Sequence, residues 1–155
     1  MKILLAIKPE FASKIFAGSK KYEFRRSIFK NENVKIVVIY VSSPIKKVIG
    51  EFEIDKVLQS KPKNLWIRTR KHSGISKEFF DSYFAEKEKG YAIKIKSLRK
   101  YRKPKCLKAD FNISSPPQSF LYLNSEQSQK LSPNKKIDSA NRTRHKSLLI
   151  PAFQT

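Results

Sequence analysis

The sequence predicts an α+β fold, a small curved sheet or barrel of about five to six strands with peripheral helices. Three observations carry that expectation. Strand-like stretches recur along residues 1–123 and mostly follow one another consecutively; helical periodicity is confined to one segment after the first strand and a pair in the middle of the chain. A 155-residue chain with 39% hydrophobic and 12% aromatic residues has the material for one buried core, which excludes a large multidomain enzyme and a wholly disordered basic protein.

Each element has its own justification. Lys2 to Ile7 reads as a strand. Pro9 then opens a short helix whose Phe11, Ala12, Ile15 and Phe16 share a face, and Gly18 closes it as a φ > 0 stop. In Lys20 to Ile28, Tyr22 and Phe24 alternate with Lys21, Glu23, Arg25 and Ser27, the period-2 pattern of a half-buried strand. Ile36 to Val41 is apolar on both faces and suits a central strand. Lys46 to Leu58 sets Phe52 and Ile54 opposite Glu51, Glu53 and Asp55, with Gly50 marking a bulge or bend. Ser60 with Pro62 starts a helix through Trp66, and Ser76 caps another whose Phe79, Phe80, Tyr83 and Phe84 form an apolar stripe expected in the core. Tyr91 to Ile95 alternates again, and Phe120 to Leu123 makes a last short strand. From Asn124 the composition turns polar and aperiodic, so residues 124–155 are expected to be a disordered basic tail behind a domain of residues 1–123.

Charge narrows the partners. Lys and Arg number 34 against 13 Asp and Glu, a net charge of +21. Six of the bases and two of the acids lie in the tail, which leaves +17 on the domain. Charge of one sign opposes compaction unless a counter-charge is bound, so a polyanion is the leading partner; an anionic membrane or a ribosome-like assembly satisfies the same arithmetic. The longest apolar run is the six residues Ile36–Val41, too short to span a bilayer, and the opening MKILLAIK lacks the length of a signal h-region. The expectation is a cytoplasmic protein with no membrane association. A single Cys106 with His72 and His145 offers no zinc-ligand spacing, so neither a structural metal nor a cofactor is expected.

The turn and strand from Gly18 read GSKKYEFR. This resembles the G-x-K-x-x-E-x-R signature of the ASCH domain family, part of the PUA-like superfamily of small β-barrels, with Gly18, Lys20, Glu23 and Arg25 at the signature positions. Lys8-Pro9-Glu10, Tyr40 to Pro44, Gly50-Glu51-Phe52, Gly90 to Ile93 and Pro116 to Phe120 are similar to the family too, so the resemblance covers about residues 1–123. It implies a PUA-like pseudo-barrel with a cleft beside the motif strand and a role in binding RNA or another nucleic acid. Some relatives look enzymatic, one branch as amidohydrolases of N4-acetylcytidine and another as ribonucleases. In the amidohydrolase branch the signature Lys is activated beside a Thr three residues later; Lys20 matches that Lys, whereas position 23 is Glu, so the hydroxyl is missing.

The motif residues also read directly. Glu23 and Arg25 lie two apart on a strand and share a face, so they can pair structurally at the rim. Alternatively Lys20 and Arg25 bind phosphate or a base edge while Glu23 accepts hydrogen bonds from an exocyclic amine. Lys20 would act as a catalytic group, with Glu23, only if burial or a nearby cation lowered its pKa; Lys21, Arg25 and Arg26 push that way and Glu23 pushes back. Ser42 and Ser43 could hydrogen-bond a ligand if their strand end opens onto the cleft. Basic runs recur at Lys20, Lys21, Arg25, Arg26, at Lys61 to Lys71, and at Lys94 to Lys105, the last with Tyr101 interleaved as in single-strand binders; Tyr122 is a second candidate for base stacking. The resulting expectation is a nucleic-acid-binding module, RNA favoured over DNA, that recognises a single-stranded or modified nucleotide in a basic cleft. The alternatives are a hydrolase, ribonuclease or amidohydrolase, using the same cleft, and an adaptor whose tail recruits a protein through Ser147 to Phe153.

Overall fold

The computed structural model, which describes residues 1–132, has six strands and three helices in the predicted order, and adds two short helices not expected from the sequence, at Leu107–Phe111 and Ser125–Gln129. The strands are β1 (Lys2–Ile7), β2 (Tyr22–Arg25), β3 (Ile36–Val41), β4 (Lys47–Ser60), β5 (Gly90–Lys105) and β6 (Phe120–Tyr122). The helices are α1 (Pro9–Ala17), α2 (Pro62–Thr69), α3 (Lys77–Tyr83), α4 (Leu107–Phe111) and α5 (Ser125–Gln129), with a 3-10 turn at Arg70–His72. The strands form one sheet in the order β2-β5-β4-β3-β1-β6, curled into a half-barrel. Only β1 and β3 run parallel, because α1 and β2 intervene and carry the chain back to the same end.

Three apolar clusters hold the sheet. Inside the curl, alternate residues of β1, β3 and β4 (Ile3, Leu5, Ile7; Val37, Ile39, Val41; Ile49) pack with Phe52, Ile93 and the Ala12 and Ile15 face of α1. On the opposite face Leu4, Val38, Tyr40 and Val48 meet Leu107 and Phe111 of α4. The all-apolar β3 is thus explained by burial on both faces. A third cluster joins Phe24 of β2 to Leu65 of α2, Phe80 of α3 and Phe84 just past its end.

Two short-range expectations turn out as backbone geometry. Gly18 caps α1 with φ 86° and returns its N–H to Ile15 O. At Gly50 the β4 register shifts, and an added Cβ would sit 2.6 Å from Arg99 O and 2.7 Å from the Phe16 ring. Other boundaries move. The motif strand is only Tyr22–Arg25, so Lys20 and Lys21 belong to the turn before it. Ser60 ends β4 rather than capping α2, which begins on Pro62 and runs to Thr69.

Regular structure continues past residue 123. Asn124 caps α5 by accepting from Gln127 N–H (2.8 Å) while Gln127 Oε1 accepts from Asn124 N–H (3.0 Å), and Leu131 is buried beneath the outer face of the sheet. A capping box needs only four residues and a single buried Leu, too little to register as helical periodicity in a polar stretch. Residues 133–155, with the Ser147 to Phe153 recruitment segment, lie outside the described residues. Among the described residues no helix is long and apolar enough to cross a membrane.

Candidate nucleic-acid cleft

A cleft of about 350 Å³ opens where β1 ends, with α1 and α3 at its sides and β2 along its floor. The sequence motif is assembled there by three local devices. The αL stop at Gly18 turns the chain so that Lys20 N–H still bonds Lys14 O (3.1 Å) and Lys21 N–H reaches His72 O (2.9 Å). Antiparallel pairing of β2 with β5 places Glu23 opposite Ile93 and Arg25 opposite Tyr91. The loop after the 3-10 turn closes over Lys20: Gly74, at φ 67°, approaches so near that a Cβ would lie 2.5 Å from Lys20 Cβ.

Lys20 is 2% exposed. Its Nζ donates to Ser73 O at 2.8 Å and lies 4.7 Å from the Phe24 ring centre and 5.4 Å from that of Phe11. Burial lowers its pKa from the ordinary 10.5 to about 8, with Glu23 opposing and Lys14 assisting. Glu23, 6% exposed, is pushed up by burial against the pull of Lys20 and Arg25, whose guanidinium lies 3.5 Å from the carboxylate. Both groups of the motif are therefore moved toward their neutral forms by one cause, removal from water, and each restrains the other. Arg25 is aimed by a second bond, donating to Ser119 O at 2.6 Å. At the rim, Arg26 stacks 4.4 Å from the Tyr83 ring centre, and the Tyr83 hydroxyl donates to Phe24 O at 3.2 Å.

The cleft thus collects Lys20, Glu23, Arg25 and Arg26 from the sequence candidates and adds Lys8, Phe11, Phe79 and Tyr83. The aromatic stripe of α3 is split: Phe80 and Phe84 are core, while Phe79 and Tyr83 face the cleft. Helical spacing put all four on one side and had no means of dividing them, because the stripe straddles the edge of the core. The other candidates lie elsewhere. Lys21 is exposed outside the lining. Ser42 and Ser43 stand in the turn beyond β3, with Ser42 N–H on Ile7 O (3.0 Å), next to the cleft but not lining it. Tyr101 is turned to the outer face, where its hydroxyl donates to Glu51 (2.8 Å). Tyr122 lies on the edge strand β6, 40% exposed, its hydroxyl accepting from Asn31 N–H (3.4 Å).

A curled half-barrel with a small aromatic and basic cleft built on its motif strand defines a small domain of the half-barrel class. The ASCH domain model matches residues 5–99, and the chain belongs to the ASCH domain family. It is similar to an ASCH domain-containing ribonuclease of Zymomonas mobilis, 32% identical over 133 residues and covering 83% of this chain and 88% of that protein. The crystal structure of ASCH from the same organism superposes with a TM-score of 0.78 at 32% identity, covering 84% of this chain and 92% of the other. Large ribosomal subunit protein uL22 of Ureaplasma parvum is 34% identical over 121 residues, 78% of this chain; the match spans only 39% of that relative's length.

Proposed function

We propose that this chain binds single-stranded RNA by drawing one nucleotide into the cleft. The observation that carries the reading is the buried Lys20–Glu23 pair on the floor of a pocket with Arg25, Arg26 and Tyr83 at its mouth. About 350 Å³ is at the lower end for a small-ligand site and accommodates a base but not a duplex. Within it, Glu23 accepts from a base amine, Lys20 donates to a base carbonyl, and the Tyr83–Arg26 stack offers a platform for the ring. Arg25 and Lys8 take the flanking phosphates. Residues 1–132 form the binding unit in this reading, since Leu131 packs into the outer apolar cluster of the sheet. The test is titration of labelled single-stranded RNA and DNA of one sequence against the native chain, Lys20→Ala and Arg26→Ala. Tighter binding of RNA, weakened by both substitutions, supports the reading; equal binding by all three proteins refutes it.

A second reading, ribonuclease, is favoured by the shifted pair itself and by the name of the Zymomonas mobilis relative. Neutral Lys20 would take the proton of a 2′-hydroxyl as that oxygen attacks the adjacent phosphorus, and a neutral Glu23 carboxyl would give its proton to the departing 5′-oxygen. The products are a 2′,3′-cyclic phosphate and a 5′-hydroxyl end, with DNA untouched. Binding without such products, or turnover that survives Lys20→Ala, removes this reading.

A further inference from the structure

We propose that a phosphate track leaves the cleft over the end of the sheet, through the turn after β3 and the start of β4 to the end of β5, and holds the RNA strand beyond the nucleotide in the pocket. The inference rests on the reading of the cleft as an RNA site and extends it to a surface outside it.

Charge on the β4–β5 ribbon is divided into two zones. In the first, acids and bases match: Asp55 pairs with Lys94 (3.2 Å), Glu53 with Lys96 (3.2 Å), and Glu51 with both Lys2 (3.0 Å) and Arg99 (2.9 Å). Past Gly50 the acids of β4 stop while the bases continue. Lys46 and Lys47 on one side, and Arg102, Lys103 and Lys105 on the other, form no ion pair with the described residues. Lys46, Lys47, Arg102 and Lys103 are exposed. Asp110, the acid of the neighbouring α4, has its carboxylate on Cys106 N–H (2.6 Å). Like charges concentrated at one end of a ribbon whose other end is neutralised raise the self-energy of the fold, and a bound polyanion relieves it.

Register links this zone to the cleft. Ile7, which lines the cleft, pairs with Val41, and Val41 pairs with Lys47; one residue further in, Ala6 pairs with Tyr40, Tyr40 with Val48, and Val48 with Lys105. Lys47 therefore lies in the same cross-strand row as the cleft wall, two strand spacings away, and Lys105 is in the next row at three, a path of about 14 Å. That is the reach of on the order of three nucleotides. The turn between them is pinned to the wall by Ser42 N–H on Ile7 O. Between Lys100 and Lys105 the β5 strand loops out against two residues of β4, Val48 and Gly50, which carries Arg102 and Lys103 away from the sheet.

The test compares a two-nucleotide and a ten-nucleotide single-stranded RNA on the native chain, on K46Q/K47Q/K103Q, and on Lys20→Ala. Three lost phosphate contacts at about 0.7 each reduce the log–log salt slope by about 2, so that between 50 and 200 mM salt the native chain loses roughly twentyfold more affinity for the long RNA than the triple variant. The short RNA binds native and triple variant alike, and Lys20→Ala weakens both lengths. Retention of the native slope and length dependence by the triple variant overturns the track alone. Binding of neither RNA by the native chain overturns the cleft reading and the track with it. Circular dichroism and thermal melts verify that the exposed substitutions leave the fold intact.

Discussion

Replacing Lys20 by Met separates the chemistry of the cleft from its packing, since Met keeps the unbranched chain to within one heavy atom and removes the charge. With the pKa at about 8 against an ordinary 10.5, holding Lys20 protonated in the fold costs about 3 kcal/mol relative to the unfolded chain. The sign follows from proton counting. Between pH 8 and 10.5 the unfolded chain binds more protons at this position than the native one, so native stability rises with pH across that window. About 1 kcal/mol of the 3 is regained between pH 7 and 9. Urea unfolding at pH 7, 8 and 9 reads this directly: the native midpoint climbs relative to Lys20→Met, whose profile lacks the component. The carbon-13 shift of the Lys20 Cε gives the second readout, its resonance titrating near pH 8. Parallel stability profiles for the two proteins, or a Lys20 resonance that titrates at the ordinary 10.5, would refute the argument that burial by Ser73, Phe11 and Phe24 controls this amine.

Other substitutions test separate parts of the structure. Tyr83→Leu removes the partner of Arg26 and should weaken single-stranded RNA binding by about tenfold, the loss of roughly one base–aromatic stack, in the same titration. Gly50→Ala drives a Cβ into Arg99 O and the Phe16 ring and should lower unfolding free energy by about 2 kcal/mol in urea. Glu51→Gln breaks the carboxylate that gathers Lys2, Arg99 and Tyr101; with Lys2 and Arg99 partly solvated, about 1–3 kcal/mol is expected rather than the full cost of a buried pair. Burial alone would raise the Glu51 carboxyl, and the hydrogen bonds of Lys2, Tyr101 and Arg99 outweigh it and hold it low. The stability it lends is thus present above its unfolded pKa and lost as pH falls through the folded one, so the variant flattens the acid limb of a stability profile.

Much of the fold was legible in one dimension because its causes are local. Proline at the start of α1, glycine at its end, the Ser76 cap, accepting from Phe79 N–H (3.1 Å), and the unbroken β3 all act within a few residues of themselves. The motif strand was legible too, and so was the pairing of Glu23 with Arg25, since residues two apart on a strand share a face. Less legible was α5, whose stability comes from a four-residue capping box and from Leu131 meeting Leu4 and Val38 in the outer cluster, more than 90 residues away along the chain.

Sequence by itself determined the order of the six strands and of the helices α1 to α3, the excess of positive charge and the set Gly18, Lys20, Glu23 and Arg25. Periodicity states which residues share a face, and composition states how much charge must be placed. Neither states what covers the face. Only the tertiary structure decided that the Ser73–Gly74 loop, 53 residues from Lys20, closes over its amine and that the edge of α3 supplies Phe79 and Tyr83 to the same cleft. It also decided that Tyr101, set among lysines in the chain, turns to Glu51 on the opposite face, and that the acids of β4 pair with three of the seven bases of β5 and leave the other four without an ion pair among the described residues. The reason is desolvation: a pKa, a stacking platform or an unmatched charge depends on which groups exclude water from it, and those groups come from distant parts of the chain.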